Sequence, residues 1–367
     1  MSIPIPVGSL LVIGFDGTEA TPRLKRLIQQ EQIGGVILFS RNIESPKQLT
    51  SLTATLRKWA GSSHHSSHGA SHRGGLLIGI DQEGGRVQRL SKPFTQWPPI
   101  SRLGACHSHE LAYQMGQAIG LELSAVGINL DFAPVLDVGT ATKNPIIGDR
   151  AFSHDPAVVA TLGLAFIVGL QDQGVIACGK HFPGHGDTSV DSHKALPVVT
   201  AKADTLLERE LKPFRHAIEN RLATIMTAHV RYPSLDPEWP ATLSPAILTT
   251  LLRETLGFDG VVFTDDLEMK GITDHWAPEV AAVQAIKAGA DSLLICKDAN
   301  VQDAVLEELR RAVSDDTLPR ARIEQSLARL DRLKAQFLHA KHKVPTATVI
   351  GCADHQALAH ELAKQKV

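Results

Sequence analysis

Two aspartates, Asp265 and Asp266, close the apolar run of "GFDGVVFTDDLEM", and fourteen residues, "KHFPGHGDTSVDSH" (180–193), carry three histidines, two aspartates and a lysine. A carboxylate held at the end of a buried strand can ligate a metal, act as a general base or attack as a covalent nucleophile. Successive strand residues point to opposite sides, so only one of the two acids faces the functional side. We expect Asp265 to carry chemistry and Asp266 to cap the following helix. The histidine-rich stretch is harder to read. His181 and His185 have a zinc-like spacing, but that spacing needs a helix, and Pro183, Gly184 and Gly186 forbid one. No helix start follows "GHGDT" closely, which weakens a phosphate cradle. Asp191 and His193 stand two apart, close enough for the carboxylate to orient and charge-stabilise the imidazole. Such a pair works as a general acid/base near neutral pH. Catalysis leads, with metal binding and a structural turn as alternatives. His185 and Asp187 are expected to shape the loop.

Groups of this kind need a scaffold, and the rest of the chain supplies a pattern for one. Short β-branched runs alternate with amphipathic stretches: 10–16, 34–40, 75–81, 128–138, 174–182, 222–230, 260–266 and 291–296 read as strands. Near-continuous apolar strands imply a parallel sheet covered on both faces. Eight strand–helix units favour an α/β fold of the (β/α)8 TIM barrel type, a single catalytic domain with a C-terminal helical extension. An open doubly wound sheet is the alternative, because periodicity does not show closure. Of the intervening helices, those beginning at Thr205 and Ser244 carry good N-cap residues. Polar residues gather where the apolar runs stop: Asp16, Asp81, Asp137, Lys180, His181, His229, Asp265 and Asp266. Those are C-terminal strand ends, where barrel enzymes keep their active sites.

Composition narrows the function classes. A net charge of −2 and 5% aromatic residues offer no basis for binding nucleic acid. No apolar run reaches the length of a membrane span, and the N-terminus lacks a secretory pattern, so a cytoplasmic setting is expected. Cys106, Cys178, Cys296 and Cys352 form no CxxC pair, which suits free thiols in a reducing compartment. "GSSHHSSHGASHRGG" (61–75) reads as a low-complexity surface insert, its His64, His65, His68 and His72 too loosely held for a designed metal site. Residues 1–340 are expected to form the barrel domain and 341–367 a short tail.

Four segments, "IDQEGGRVQRL", "NPIIGDRAF", "KHFPGHGDTSVDSHKALP" and "VVFTDDLEM", together resemble the β-N-acetylhexosaminidases of glycoside hydrolase family 3, in that family's order, from about residue 8 to 340. The nearest resemblance is to bacterial cytoplasmic enzymes that recycle cell-wall fragments by removing N-acetylglucosamine from 1,6-anhydro-muropeptides. The resemblance implies a retaining hydrolysis with Asp265 as nucleophile, His193 as acid/base and Asp191 as its partner. It implies that Asp81, Arg89, Arg150, Lys180 and His181 hold the terminal sugar, with Arg86 and His229 in support. No metal, no cofactor and a carbohydrate-binding monomer are the accompanying expectations. The substantial second domain of larger members is not expected here, since the tail resembles only the start of a connector. Two other readings stay open: a phosphorylase on the same scaffold, since a histidine acid/base tolerates phosphate as acceptor, and a catalytically inactive sugar-binding barrel. A β-glucosidase fits less well, because relatives of that type take their acid from a second domain.

Overall fold

All eight expected strands are present, each shorter than its apolar run: β1 (Leu11–Ile13), β2 (Gly35–Leu38), β3 (Leu77–Ile80), β4 (Leu130–Asp131), β5 (Ile176–Phe182), β6 (Thr224–Thr227), β7 (Val261–Asp266) and β8 (Ser292–Ile295). The structure, a computed structural model, describes residues 5–61, 75–141, 144–339 and 344–366. The histidine-rich part of the 61–75 insert lies outside them. Every strand pairs in parallel with its sequence neighbour, and β8 closes on β1 with Leu11 opposite Leu293 and Ile13 opposite Ile295. Closure removes both sheet edges and decides for the barrel over the open sheet. β4 keeps only two residues because Pro134 has no N–H to give the ladder, although Leu136 N still reaches the Lys180 carbonyl at 2.7 Å.

Buried apolar strands alone do not stop or orient the helices; their caps do. Thr21 Oγ1 accepts the Leu24 N–H, Ser108 Oγ that of Leu111, and Asp298 Oδ1 that of Asn300. Ser244 acts as expected, its Oγ taking the Ile247 N–H at 3.0 Å. Thr205 does not. That helix starts at Ala203, after an extended Lys202, and Thr205 is already helical. The earlier start places Asp204 in the first turn, where the helix dipole favours it. The two closing helices are Ala299–Ser314 and Arg320–Leu338. Beyond them the tail forms one more helix, Ala353–Ala363. It docks on buried Glu122, whose Oε1 accepts the Gly351 N–H at 3.0 Å and meets His355 Nδ1 at 2.9 Å. Among the described residues, no helix is long and apolar enough to cross a membrane. All four cysteines are free, with Cys178 and Cys296 buried.

Candidate active site

The C-terminal ends of β3, β5 and β7 converge on one pocket of about 160 Å³. Asp81 follows β3 directly, and a hairpin, Gln82–Gly84 paired with Val87–Gln88, then returns Arg86 and Arg89 to the same rim. Gln82 fixes that return by accepting the Arg89 N–H at 3.0 Å on Oε1. Lys180, near the end of β5, places Nζ 2.9 Å from Asp81 Oδ1 and 2.6 Å from Glu83 Oε1. Arg150, in the turn Gly148–Arg150, grips both oxygens of Glu83 at 2.8 Å, and Arg89 reaches Asp81 at 3.2 Å. Burial opposes the charges of Asp81, Glu83, Arg150 and Lys180, yet the pairing outweighs it. Arg150 and Lys180 hold Glu83 far below the usual carboxylate range, and Asp81 with Glu83 lifts Lys180 above the usual ammonium range. The result is a permanently charged, preorganised wall.

His181 is aimed by Asp137, whose Oδ2 lies 2.7 Å from Nδ1 and whose Oδ1 accepts the N–H groups of His181 and His185. With Nδ1 committed to that carboxylate, Nε2 is the nitrogen left for the pocket. His185 is buried and bridges the loop internally, from Thr188 Oγ1 at 2.9 Å to Ser192 Oγ at 3.1 Å. Burial, with the charge of His181 nearby, takes His185 down to about 4, so it is a neutral spacer. Asp191 accepts both the backbone N–H and the Nδ1 side of His193 at 2.9 Å. His193 keeps a 57% exposed side chain with its other nitrogen unconstrained by that pair.

The two acids of β7 separate as alternation requires. Asp265 lines the pocket together with His193, and its Oδ1 accepts the Asp266 N–H at 2.8 Å. Burial would raise its pKa, but the neighbouring imidazoles of His229 and His181 and that N–H outweigh it, so the carboxylate is held below its ordinary range. Asp266 turns away and secures the strand end, accepting the N–H groups of Glu268 and Cys296. It caps this turn rather than a helix, since the next helix, Lys270–Thr273, begins after Met269. Burial, aided by the charges of Glu268 and Asp265, pushes Asp266 up to about 7.

That shift has a measurable sign. Between its ordinary 3.8 and about 7, the folded chain keeps a proton on Asp266 that the unfolded chain has released, so this contribution to stability falls as pH rises through the window. In urea unfolding, Asp266→Asn should therefore gain on the unsubstituted protein between about pH 4 and pH 7. A pH-independent difference would show Asp266 ionised throughout.

Of the sequence-derived candidates, Asp81, Arg89, Arg150, Lys180, His181, His193 and Asp265 all line this pocket, with Asp191 beside His193. Arg86 lines it too, and supports it by holding Asp149 and the carbonyls of Ile146 and Ile147. His229 is fully buried under β7, donating Nε2–H to the Asp266 carbonyl at 3.0 Å. Asp16 stands elsewhere, 86% exposed and paired with Arg41. Glu83 is the principal omission: its charge inside "DQEGG" was visible, but its cationic partners lie on distant segments. Asp137 is visible in the sequence as a strand end, but its part as the orienting partner of His181 depends on a contact across 44 positions.

The sequence profile of the glycosyl hydrolase family 3 N-terminal domain matches residues 6–333. This chain belongs to that family. A beta-hexosaminidase of Nitrosomonas eutropha is 38% identical over 346 residues, covering 91% of this chain and 95% of the relative. One from Thiobacillus denitrificans is 41% identical, covering 82% and 81%. Among solved structures, a family 3 beta-N-acetylglucosaminidase from Paenibacillus sp. str. FPU-7 superposes with a TM-score of 0.91 at 41% identity, over 98% of this chain and 67% of that one. NagZ from Neisseria gonorrhoeae, solved with N-trifluoroacetyl-D-glucosamine, gives 0.78 at 32% identity over 96% and 97%. The family 3 barrel thus accounts for the closed sheet, the strand-end pocket and most of the chain.

Proposed function

We propose that this family 3 hydrolase is a retaining exo-β-N-acetylglucosaminidase that removes a terminal, non-reducing β-linked N-acetylglucosamine. The observation that carries this reading is the shared pocket of Asp265 and the Asp191–His193 pair. The names of the similar enzymes support the sugar, and the small pocket supports attack on an end group. Natural substrates on this reading are 1,6-anhydro-muropeptides, met in the cytoplasm by a monomer whose barrel domain spans residues 1–340.

With Oδ1 engaged by the Asp266 N–H, Oδ2 of Asp265 is the attacking oxygen. It bonds to the anomeric carbon while His193 gives its proton to the departing glycosidic oxygen, which leaves with the bonding electrons. His193 then takes a proton from water, the hydroxide oxygen displaces Asp265, and the β configuration returns. Asp191, accepting Nδ1–H, directs Nε2 to the substrate and stabilises the imidazolium that gives up its Nε2 proton; the neutral ring left behind has Nε2 bare, ready to take the proton from water. Asp81, Arg89, Arg150, Lys180 and His181 bind hydroxyls and the acetamido group; their mutual ion pairs mean that no rotamer search precedes binding.

The test is incubation with anhydro-muropeptide and with chitobiose, with mass spectrometry of the products. Free N-acetylglucosamine is expected; N-acetylglucosamine 1-phosphate formed on adding phosphate would reveal a phosphorylase, and no turnover by folded protein would end the enzyme reading. His193→Ala separates the steps further. It should lower kcat/KM on chitobiose by about 10²–10⁴-fold, the scale of general-acid catalysis, and barely affect a 2,4-dinitrophenyl glycoside that needs no proton. Equal losses on both substrates would remove His193 from that role.

A further inference from the structure

Behind the pocket, a chain of ion pairs reaches the loop that carries His193. Glu210 ends a π-helical turn, Leu206–Glu210, a local break of helical register of the kind that recurs at functional sites. Its side chain is fully buried; Oε1 accepts Arg209 Nε at 2.7 Å, while Oε2 has no hydrogen-bond partner. Arg209 turns its Nη2 to Asp187 Oδ2 at 2.8 Å. Gly184, at φ +132°, rests directly on Glu210: a Cβ there would stand 2.8 Å from Glu210 Cβ and 3.0 Å from Oε2. The loop therefore leaves β5 across Glu210 and is caught again three residues later by Arg209.

We propose that Arg209, oriented by Glu210, is a positioning residue for the acid/base, setting through Asp187 where Asp191 and His193 stand over the pocket. This rests on the assignment of His193 given above. The first part of the loop is fixed without Arg209. Asp137 takes the His185 N–H, Tyr232 Oη donates to the Gly184 carbonyl at 2.6 Å, and Asn144 Nδ2 donates to the carbonyls of His185 and Gly186. Farther along, the loop is held at Ser192, by His185 Nε2 and by the Gly271 N–H, which meets the Ser192 carbonyl at 2.9 Å. Asp187 is the charged anchor between these two regions.

The geometry of Arg209 suits that task. Glu210 occupies its Nε edge, so the planar guanidinium presents Nη2 to Asp187 in one direction, which a flexible ammonium does not reproduce. A buried carboxylate with an unpartnered oxygen is a poor choice for stability, and burial pushes Glu210 up to about 7 in spite of Arg209. An apolar side chain would fill the same space without that penalty but would not aim the arginine. The outer pair, Arg209 with Asp187, is about one-third exposed on each side and so adds little to stability. Its loss should be felt in catalysis rather than in folding.

The experiment uses the full chain with Arg209→Gln, Asp187→Asn, the double variant, Glu210→Gln and His193→Ala, each assayed on chitobiose and on 2,4-dinitrophenyl β-N-acetylglucosaminide. Expected for either outer variant is a drop in kcat/KM on chitobiose of about 10–100-fold, a part of the whole general-acid contribution, with less than about 3-fold on the activated glycoside. The double variant should be no worse than the singles, because both break one link. Glu210→Gln, which keeps an oxygen for Arg209 Nε, should retain most activity, and the melting temperature of Asp187→Asn, which breaks only the outer pair, should be unchanged. Equal losses on the two substrates, additive losses in the double variant, or full chitobiose activity would overturn the proposal while His193→Ala still shows its leaving-group dependence. If His193→Ala lacks that dependence, the acid/base assignment fails and this inference with it.

Discussion

Replacing Asp265 with alanine is expected to lower turnover of an aryl β-N-acetylglucosaminide by at least about 10⁴-fold, as loss of a covalent nucleophile does in other hydrolases. Three observations single out this residue over its neighbour. Asp265 lines the pocket and Asp266 does not. Asp265 is held ionised by the imidazoles of His229 and His181, whereas burial pushes Asp266 up to about 7 and leaves it a poor nucleophile at neutral pH. Asp266 already spends Oδ1 on the N–H groups of Glu268 and Cys296. A slow mechanism-based sugar should accordingly leave its label on Asp265. A label on Asp266, or residual activity within tenfold of the unsubstituted protein, would refute the assignment.

Asp291→Ala should destabilise the protein by about 3–5 kcal/mol, the scale for stripping one partner from a buried ionic cluster, while activity per folded molecule is preserved. Asp291 is fully buried immediately before β8, at the end of the barrel opposite the pocket. Its carboxylate serves Arg253, Arg322 and Arg329 and also accepts Ser326 Oγ at 2.8 Å and the Val262 N–H at 3.1 Å. One side chain thus ties β7 and β8 to the helices Ala246–Thr255 and Arg320–Leu338. Burial, opposed by Asp291 and reinforced by the other two arginines, already lowers Arg253 to about 10, so removing the acid leaves three guanidinium groups in mutual repulsion. Urea unfolding measures the change; a loss below about 1 kcal/mol would mean that water reaches and screens the cluster.

The eight strands were legible because each is a local run of buried residues that depends on no distant partner. Asp265 and the Asp191–His193 pair were legible for a related reason. One stands at a strand end, and the other two are so close in the chain that their geometry is nearly dictated by it. The helix start at Ala203 instead of Thr205 shows the limit of local reading, since an acceptable cap residue lost to an earlier turn.

Order and type of the elements, the strand-end polar residues and the Asp191–His193 contact were thus determined by the sequence itself, through periodicity and short-range spacing. Tertiary structure alone decided closure and the charged wall. Lys180 meets Asp81 across 99 positions and Arg150 meets Glu83 across 67. Such pairs form only when β3 and β5 are brought to the same rim, and burial then fixes their charges more firmly than water would.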